Sequence, residues 1–321
     1  MNSSNAPDSP LFVYRGSALA HYGFGNDHPF SPDRHDVFQA ELAAAEPGST
    51  IRYAEPRRAT VDELALFHTA DYIDFVSRMS QDGFGFLDAG DTPSFPGVFD
   101  AASDVVGTTL AAVDAVMRGE ASRAFVPIAG LHHAARDAAS GFCVFNDCGV
   151  AVEYLRRAHG VRRVAYVDID AHHGDGVFYG FEDDPDLLFA DLHEDGRFLF
   201  PGTGAADETG VGRAKGTKLN IPMAPGAGDE AFRAEWPRVL AYLEDAAPEF
   251  ILMQCGADSL AGDPLTHLTY SEETHARAAR DLRDIADRHA GGRIVATGGG
   301  GYDRRNLARA WTRVVQSLAA R

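Results

Sequence analysis

Asp170 and His172 stand two residues apart in VDIDAHHGDG (167–176), directly after the apolar run RRVAYV. In extended chain, residues i and i+2 face the same side, so a carboxylate and an imidazole can converge on one ion. Asp and His together suit a zinc-like divalent cation, and a catalytic centre of that kind needs a third ligand and an open position for water. Asp258, in LMQCGADSLAGDP, follows another apolar run and offers a third carboxylate. IAGLHHA adds His132 and His133, while Asp168 and Asp175 flank the first two ligands with no other evident task. Each of these aspartates could accept the distal N–H of one histidine, fixing its tautomer and raising its basicity. A histidine so paired, beside an ion that brings the pKa of water towards about 7, suits a hydrolysis. Tyr302 follows GGGG (298–301), where the backbone can approach a ligand closely and the phenol can project into the site.

Positioning these groups falls to a chain of alternating elements. Phe125–Ile128, Val164–Val167, Leu187–Phe189, Ile251–Met253 and Ile294–Ala296 are short and continuously apolar. They read as strands buried on both faces of a parallel sheet. Helical stretches at Asp147–His159, Glu230–Asp245 and Glu272–His289 lie between several of them, and Asn306–Ala320 closes the chain. Upstream, LFVYRG (11–16) reads as a first strand, and Ser31 with Pro32 opens a helix through Ala45. Thr60 and Glu63 make a capping box, and Asp71–Ser80 is again helical. A loop rich in Gly, Pro and Asp (Gln81–Gly97) precedes a long helix, Val98 to Arg118. The alternation predicts one α/β domain over 11–321, a three-layer α/β/α arrangement with a mainly parallel central sheet, after a disordered tail at 1–10. GLHHA, DIDAHHGDG, DLHEDG, CGADS and TGGGGYD follow the five inner strands in turn. Ligands of open α/β sheets sit beyond the carboxyl ends of the strands, so these five ends are expected to converge.

Composition narrows the function classes. Of 321 residues, 45% are hydrophobic and 24% charged, as in ordinary globular proteins. A net charge of −18 argues against direct nucleic-acid binding and favours attraction of cationic substrates. Cys143, Cys148 and Cys255 are odd in number and lack CxxC spacing, which fits a reducing cytoplasm. The N-terminus lacks a signal-peptide pattern, and no apolar run approaches the roughly 20 residues of a membrane span. A cytoplasmic location without membrane association is expected. Dinucleotide, P-loop, HExxH and G-x-S-x-G motifs are all missing.

Taken together, GLHHA, SGFCVFND, VDIDAHHGDGV, FPGTG, CGADSLAGDP and GGGGY resemble, in order and spacing, the zinc-dependent histone deacetylase family of the arginase/deacetylase fold. The resemblance runs from HYGFGNDHPFSPDR at residue 21 to GGGGYDRRNLARAWT ending at residue 312. It is closer to class I deacetylases and bacterial acetoin-utilisation deacetylases than to acetylpolyamine amidohydrolases, which tend to carry a proline-containing PGHHA in place of GLHHA. The resemblance implies a zinc ion held by Asp170, His172 and Asp258, and iron(II) can share such ligands. It implies tandem histidines His132 and His133 paired with Asp168 and Asp175, and Tyr302 polarising a substrate carbonyl. Phe142 and Phe200 match the walls of an acyl-lysine tunnel, Gly141 and Gly300 belong to its substrate-binding lining, and Leu265 sits at its rim. Asp91 matches a loop aspartate that holds the substrate's backbone amides, and Arg34 an internal arginine that helps acetate leave. A structural potassium ion is implied at Asp168, Asp170, His172, Asp191 and Leu192.

The implied activity is an amidohydrolase that removes acetyl or other acyl groups from protein lysines or related acylated amines by metal-activated water. One position departs from the family pattern: Asp191, in DLH, stands where Ser is common. Its charge near Asp168 could tighten potassium, favour another cation or change nothing. Ser31 and Asp33 do not supply the basic surface that class I members use for co-repressors and inositol phosphates, so those partners are not implied. Alternative readings are an acetylpolyamine or other small-molecule amidohydrolase, an arginase-like ureohydrolase, and a non-catalytic acyl-lysine-binding protein. Against the ureohydrolase, Gly174 stands where its second-metal motif needs Asp. His68, His159, His267 and His289 lie outside the strand-end set and read as surface or helix-terminal residues, while His193 is open to either reading.

Overall fold

Among the described residues, eight short strands run in one direction, and helices fill most of the intervals between them. The computed structural model describes residues 9–25, 27–46 and 50–320. Most of the tail expected at 1–10 lies outside the described residues. The first half holds β1 (Leu11–Tyr14), α1 (Ser17–Ala20), α2 (Asp33–Ala44), β2 (Ile51–Ala54), α3 (Val61–Leu64), α4 (Ala70–Asp82), α5 (Val98–Met117) and β3 (Arg123–Val126). Then come α6 (Asp147–His159), β4 (Val164–Asp168), α7 (Asp175–Gly180), β5 (Leu187–Glu194), β6 (Lys218–Met223) and α8 (Asp229–Ala246). The last elements are β7 (Phe250–Gln254), α9 (Glu272–His289), β8 (Ile294–Thr297) and α10 (Arg304–Ala319).

The strands form an eight-stranded sheet in the order β2-β1-β3-β8-β7-β4-β5-β6. Every pairing is parallel, not merely most of them. Every residue of β4, β5 and β7 is buried, as strands covered on both faces must be. On one side α2, α10, α9 and α8 pack in succession, and α5 with α6 packs on the other, giving three layers. α5 is apolar almost all round because other segments cover it. Gly107 lets the Arg57–Ala59 segment cross that helix, since a Cβ there would lie 2.3 Å from the Arg57 carbonyl oxygen.

Helix ends follow the local chemistry. Thr60 and Glu63 form the expected capping box, and Asn146 and Asp303 cap α6 and α10 with side-chain oxygens. The structure also differs from the sequence reading. β2 and β6 are strands that the apolar-run criterion passes over: IRYA is short and half polar, and KLNIPM carries Lys218 and Pro222. β3 stops at Val126 instead of continuing to Ile128, which turns away with φ 68°. β5 continues past Phe189 to Glu194, because Asp191 and His193 are buried and paired instead of ending the strand.

The five inner strands β3-β8-β7-β4-β5 lie side by side. From β4 the chain steps to β5 on one side, and later to β7 on the other. That switch opens a crevice between β4 and β7 at their carboxyl ends.

Candidate active site

Asp170 and His172 leave the end of β4, and Asp258 leaves the end of β7 beside it. Their ligand atoms all lie within 4.8 Å of one another, and all three residues are buried. His172 Nδ1 is 3.1 Å from Asp170 Oδ1 and 3.1 Å from Asp258 Oδ2. The carboxylates are aimed by their neighbours. Asp170 Oδ2 accepts from Gln254 Nε2 and from the Gly300 amide, each at 2.9 Å, and Asp258 Oδ1 accepts from the Ala171 amide at 2.8 Å. Gly300 must be glycine: a Cβ would lie 2.1 Å from Asp258 Oδ2. Burial opposes a charge on His172, yet the two carboxylates outweigh it and raise its pKa to about 10. Two carboxylates facing one imidazole in a buried pocket favour positive charge there. The Asp–His–Asp donor set fits a divalent ion of the zinc or iron(II) type.

Two histidine–aspartate pairs stand beside this cluster. His132 Nδ1 is 2.7 Å from Asp168 Oδ2, and His133 Nδ1 is 2.7 Å from Asp175 Oδ1. The aspartates fix the Nδ1–H tautomers and leave the Nε2 atoms, 3.0 Å apart, facing each other. The pairs are not equivalent. Asp168 is fully buried and also accepts from the Tyr166 hydroxyl at 2.5 Å, while the Asp175 side chain keeps 18% of its exposure. Burial, then the neighbouring His132, pushes His133 down to about 4 against the opposing pull of Asp175.

Tyr302 completes the ring. Burial and the nearby Asp258 and Asp170 hold its phenol well above the ordinary value, so it is a donor throughout the physiological range. Its amide donates to Asp263 Oδ2 at 2.8 Å, and Asp263 Oδ1 accepts from the Leu265 amide at 3.0 Å. Asp263 thereby ties the turn after β8 to the loop after β7. His132, His133, Gly141, Asp170, His172 and Tyr302 are among the residues lining one narrow cavity.

Of the remaining expected residues, Phe142 and Phe200 pack against two that line the cavity. Phe142 packs edge-on against Tyr302 at 5.8 Å, and Phe200 against His133 at 5.1 Å. Gly141 separates the two walls, with no room for a side chain between His133 and Phe200. Leu265 and Asp91 are exposed, and Arg34 lies fully buried beneath. The Arg34 guanidinium donates to the carbonyls of Gly301 and Gly299 and stacks 4.0 Å from the Phe30 ring. Among the described residues its Nη1 has no hydrogen-bond partner.

Asp191 lies opposite Asp168 in the β4–β5 register. Its Oδ1 is 2.8 Å from His193 Nδ1, and its Oδ2 accepts from the Gly174 amide at 2.8 Å. Burial lowers the His193 pKa, but Asp191 outweighs it and raises it, and the two side chains form a buried pair. Leu192 is buried beside them.

Some of the supporting residues escape the sequence reading. Asp263 sits inside CGADSLAGDP and Gln254 directly before it, where their neighbourhood is a signal for them. Asp147, whose carboxylate accepts from the Gly130 and Leu131 amides and the Thr109 hydroxyl, fixes the approach to His132. His68 corrects its surface assignment. It is only 3% exposed, its Nε2 accepts from the Asn146 amide and its Nδ1 donates to the Arg136 carbonyl. The expectation holds for His267, which is 63% exposed, and His159 is half-buried against Asp114.

Known proteins share this arrangement. The histone deacetylase domain profile matches residues 28–318. The acetoin utilization protein AcuC of Bacillus subtilis (strain 168) is 40% identical over 320 residues, covering 95% of this chain and 80% of that protein. Histone deacetylase RPD3 of Saccharomyces cerevisiae is 33% identical over 302 residues, covering 91% of this chain and 68% of that protein. The crystal structure of the HDA15 HD domain superposes with a TM-score of 0.89 at 29% identity, over 97% of this chain and 90% of that one. These relatives support hydrolytic deacetylase chemistry, and the buried Asp–His–Asp cluster suits the metal dependence general in such enzymes. With a match that spans nearly all of its length, this chain belongs to the histone deacetylase family.

Proposed function

We propose that this protein is a zinc- or iron(II)-dependent deacetylase that hydrolyses the acyl amide of acylated lysine side chains, with residues 11–321 as one catalytic domain. The observation carrying this reading is the convergence of a three-ligand cluster, two histidine–aspartate pairs and a tyrosine on one narrow cavity. Asp170, His172 and Asp258 hold the ion, which when bound polarises the scissile carbonyl and makes water acidic. His133, neutral and oriented by Asp175, takes the proton of the attacking water and then delivers it to the leaving amine. His132, with Asp168, orients and balances charge beside it. The Tyr302 hydroxyl donates to the carbonyl oxygen as negative charge develops there. Phe142 and Phe200 flank the acyl-lysine stem, Gly141 and Gly300 keep its path open, and Leu265 borders the mouth. Asp91 accepts from the substrate's backbone amides, and the Nη1 of Arg34 receives the acetate carboxylate. Potassium at Asp168, Asp170, His172, Asp191 and Leu192 is structural in this reading, and the protein works in the cytoplasm without nucleic acid or membrane.

Replacing Tyr302 by Phe tests the oxyanion donor. Turnover of an acetyl-lysine peptide should fall by about 100-fold while bound metal stays near one per chain. An unchanged rate would exclude the role. Urea release from arginine would instead favour the ureohydrolase reading. Packing around Gly174 disfavours it, because a Cβ there would lie 2.8 Å from Asp168 Oδ2, which leaves no room for another carboxylate.

A further inference from the structure

The loop between α4 and α5 is organised around one side chain that the proposed chemistry does not use. Asp88 Oδ1 accepts from the amides of Gly90, Asp91 and Thr92, each at 2.9 Å, and Asp88 Oδ2 accepts from the Thr92 hydroxyl at 2.6 Å. Thr92 is fully buried, and its Oγ1 also accepts from the Phe142 amide at 3.0 Å. The Leu87 amide donates to the Thr92 carbonyl at 2.8 Å and closes the loop. Asp88 is thus joined through one threonine to the backbone of a cavity wall.

A second tie meets the same two residues from the opposite direction. His28 Nδ1 accepts from the Phe30 amide at 3.0 Å, so the ring proton sits on Nε2. That Nε2 donates to the Asp91 carbonyl at 3.2 Å, and the ring packs edge-on against Phe142 at 4.6 Å. Phe142 needs such support. Its φ of 68° is left-handed, a conformation costly for a bulky residue, and the Tyr22 hydroxyl holds its carbonyl at 2.7 Å. Asp91 and Phe142, 51 residues apart in sequence, are thereby locked into one bonded unit. The exposed Asp91 carboxylate makes no hydrogen bond among the described residues.

We infer that Asp88 and His28 are positioning residues for substrate recognition. They hold Asp91 in fixed relation to Phe142, so that the main chain around an acylated lysine is gripped while its side chain lies along the cavity wall. The inference rests on the proposed roles of Asp91 and Phe142, and it makes a polypeptide the preferred substrate over a free acylated amine. Fixing the loop beforehand removes the entropy of ordering it when substrate binds, and that gain is available only to a substrate with amides to offer.

The test compares two substrates on the metal-loaded full chain: an acetyl-lysine peptide and mono-acetylated 1,5-diaminopentane, which has the lysine stem without backbone amides. Asp88→Ala should raise KM for the peptide about tenfold with kcat within about twofold, and leave kcat/KM for the diamine within about twofold. Asp91→Ala should raise the peptide KM at least as far, and the double variant should be no worse than the worse single one. Asp88→Asn keeps an oxygen for the three amides but loses the acceptor for the Thr92 hydroxyl. It should restore most of the peptide KM, and it serves if the alanine variant fails to fold. If Asp88→Ala and Asp88→Asn depress both substrates alike, or add to Asp91→Ala, the positioning role is overturned while the deacetylase reading stands. A wild type that turns over neither substrate overturns the functional reading, and this one with it.

Discussion

At the scale of single residues, the two histidine–aspartate pairs carry the sharpest consequence. The proposed base, His133, is pushed down to about 4 by burial and then by His132, so it is already neutral well below pH 7. Activity needs the neutral form, which is present above that value and lost as pH falls through it. The acid limb of kcat/KM should therefore lie below about pH 5 instead of near the ordinary histidine value of about 6.5. A pH–rate profile checks this, and half-loss at pH 6.5 would contradict the assignment. The ligands and pairs are legible in the sequence because their types are chemically restrictive and their spacings follow strand geometry. Asp88, Gln254 and Asp263 are not legible that way. Asp88 organises its own loop, as many loop aspartates do, while Gln254 and Asp263 reach groups distant in sequence such as Asp170 and the Tyr302 amide, and neither kind of work has a distinguishing spacing.

Among the elements, the central strands are the most readable part, since full burial on both faces demands unbroken apolar runs such as FILMQ. The edge strands β2 and β6 escape because a strand at a sheet edge tolerates polar residues and Pro222. What the sheet does for the site is to bring five loop starts together, and Asp263 then fastens two of those loops to each other. Asp263→Ala should free the Tyr302 turn and lower kcat by about 10–100-fold, with metal content unchanged. Steady-state kinetics beside metal analysis distinguishes this from loss of the ion. Parallel loss of metal and activity would show that Asp263 serves the ligand cluster instead.

For the whole molecule, stability and function draw on buried polar groups that must keep one protonation state. Burial holds His68 down at about 3, against the opposing pull of the Arg136 carbonyl to which its Nδ1 donates, and its Nε2 accepts from the Asn146 amide. Its folded value lies below the unfolded one of about 6.5, so its stability contribution is complete above pH 6.5 and drains away as pH falls towards 3. The slope is about 1.4 kcal/mol per pH unit from this residue. Gln at position 68 offers the same acceptor and donor without titrating. His68→Gln should flatten the fall of the urea midpoint between pH 7 and 5, and equal slopes would refute the argument. The central claim is that an ion held by Asp170, His172 and Asp258 makes this cavity hydrolytic. Its most direct test is acetate release from an acetyl-lysine peptide before and after chelation, in wild type and Asp258→Asn. Release that stops on chelation and returns with zinc or iron(II) only in the wild type is the predicted result. Release that survives chelation, or a metal-replete wild type that leaves every acylated amine intact, would contradict it.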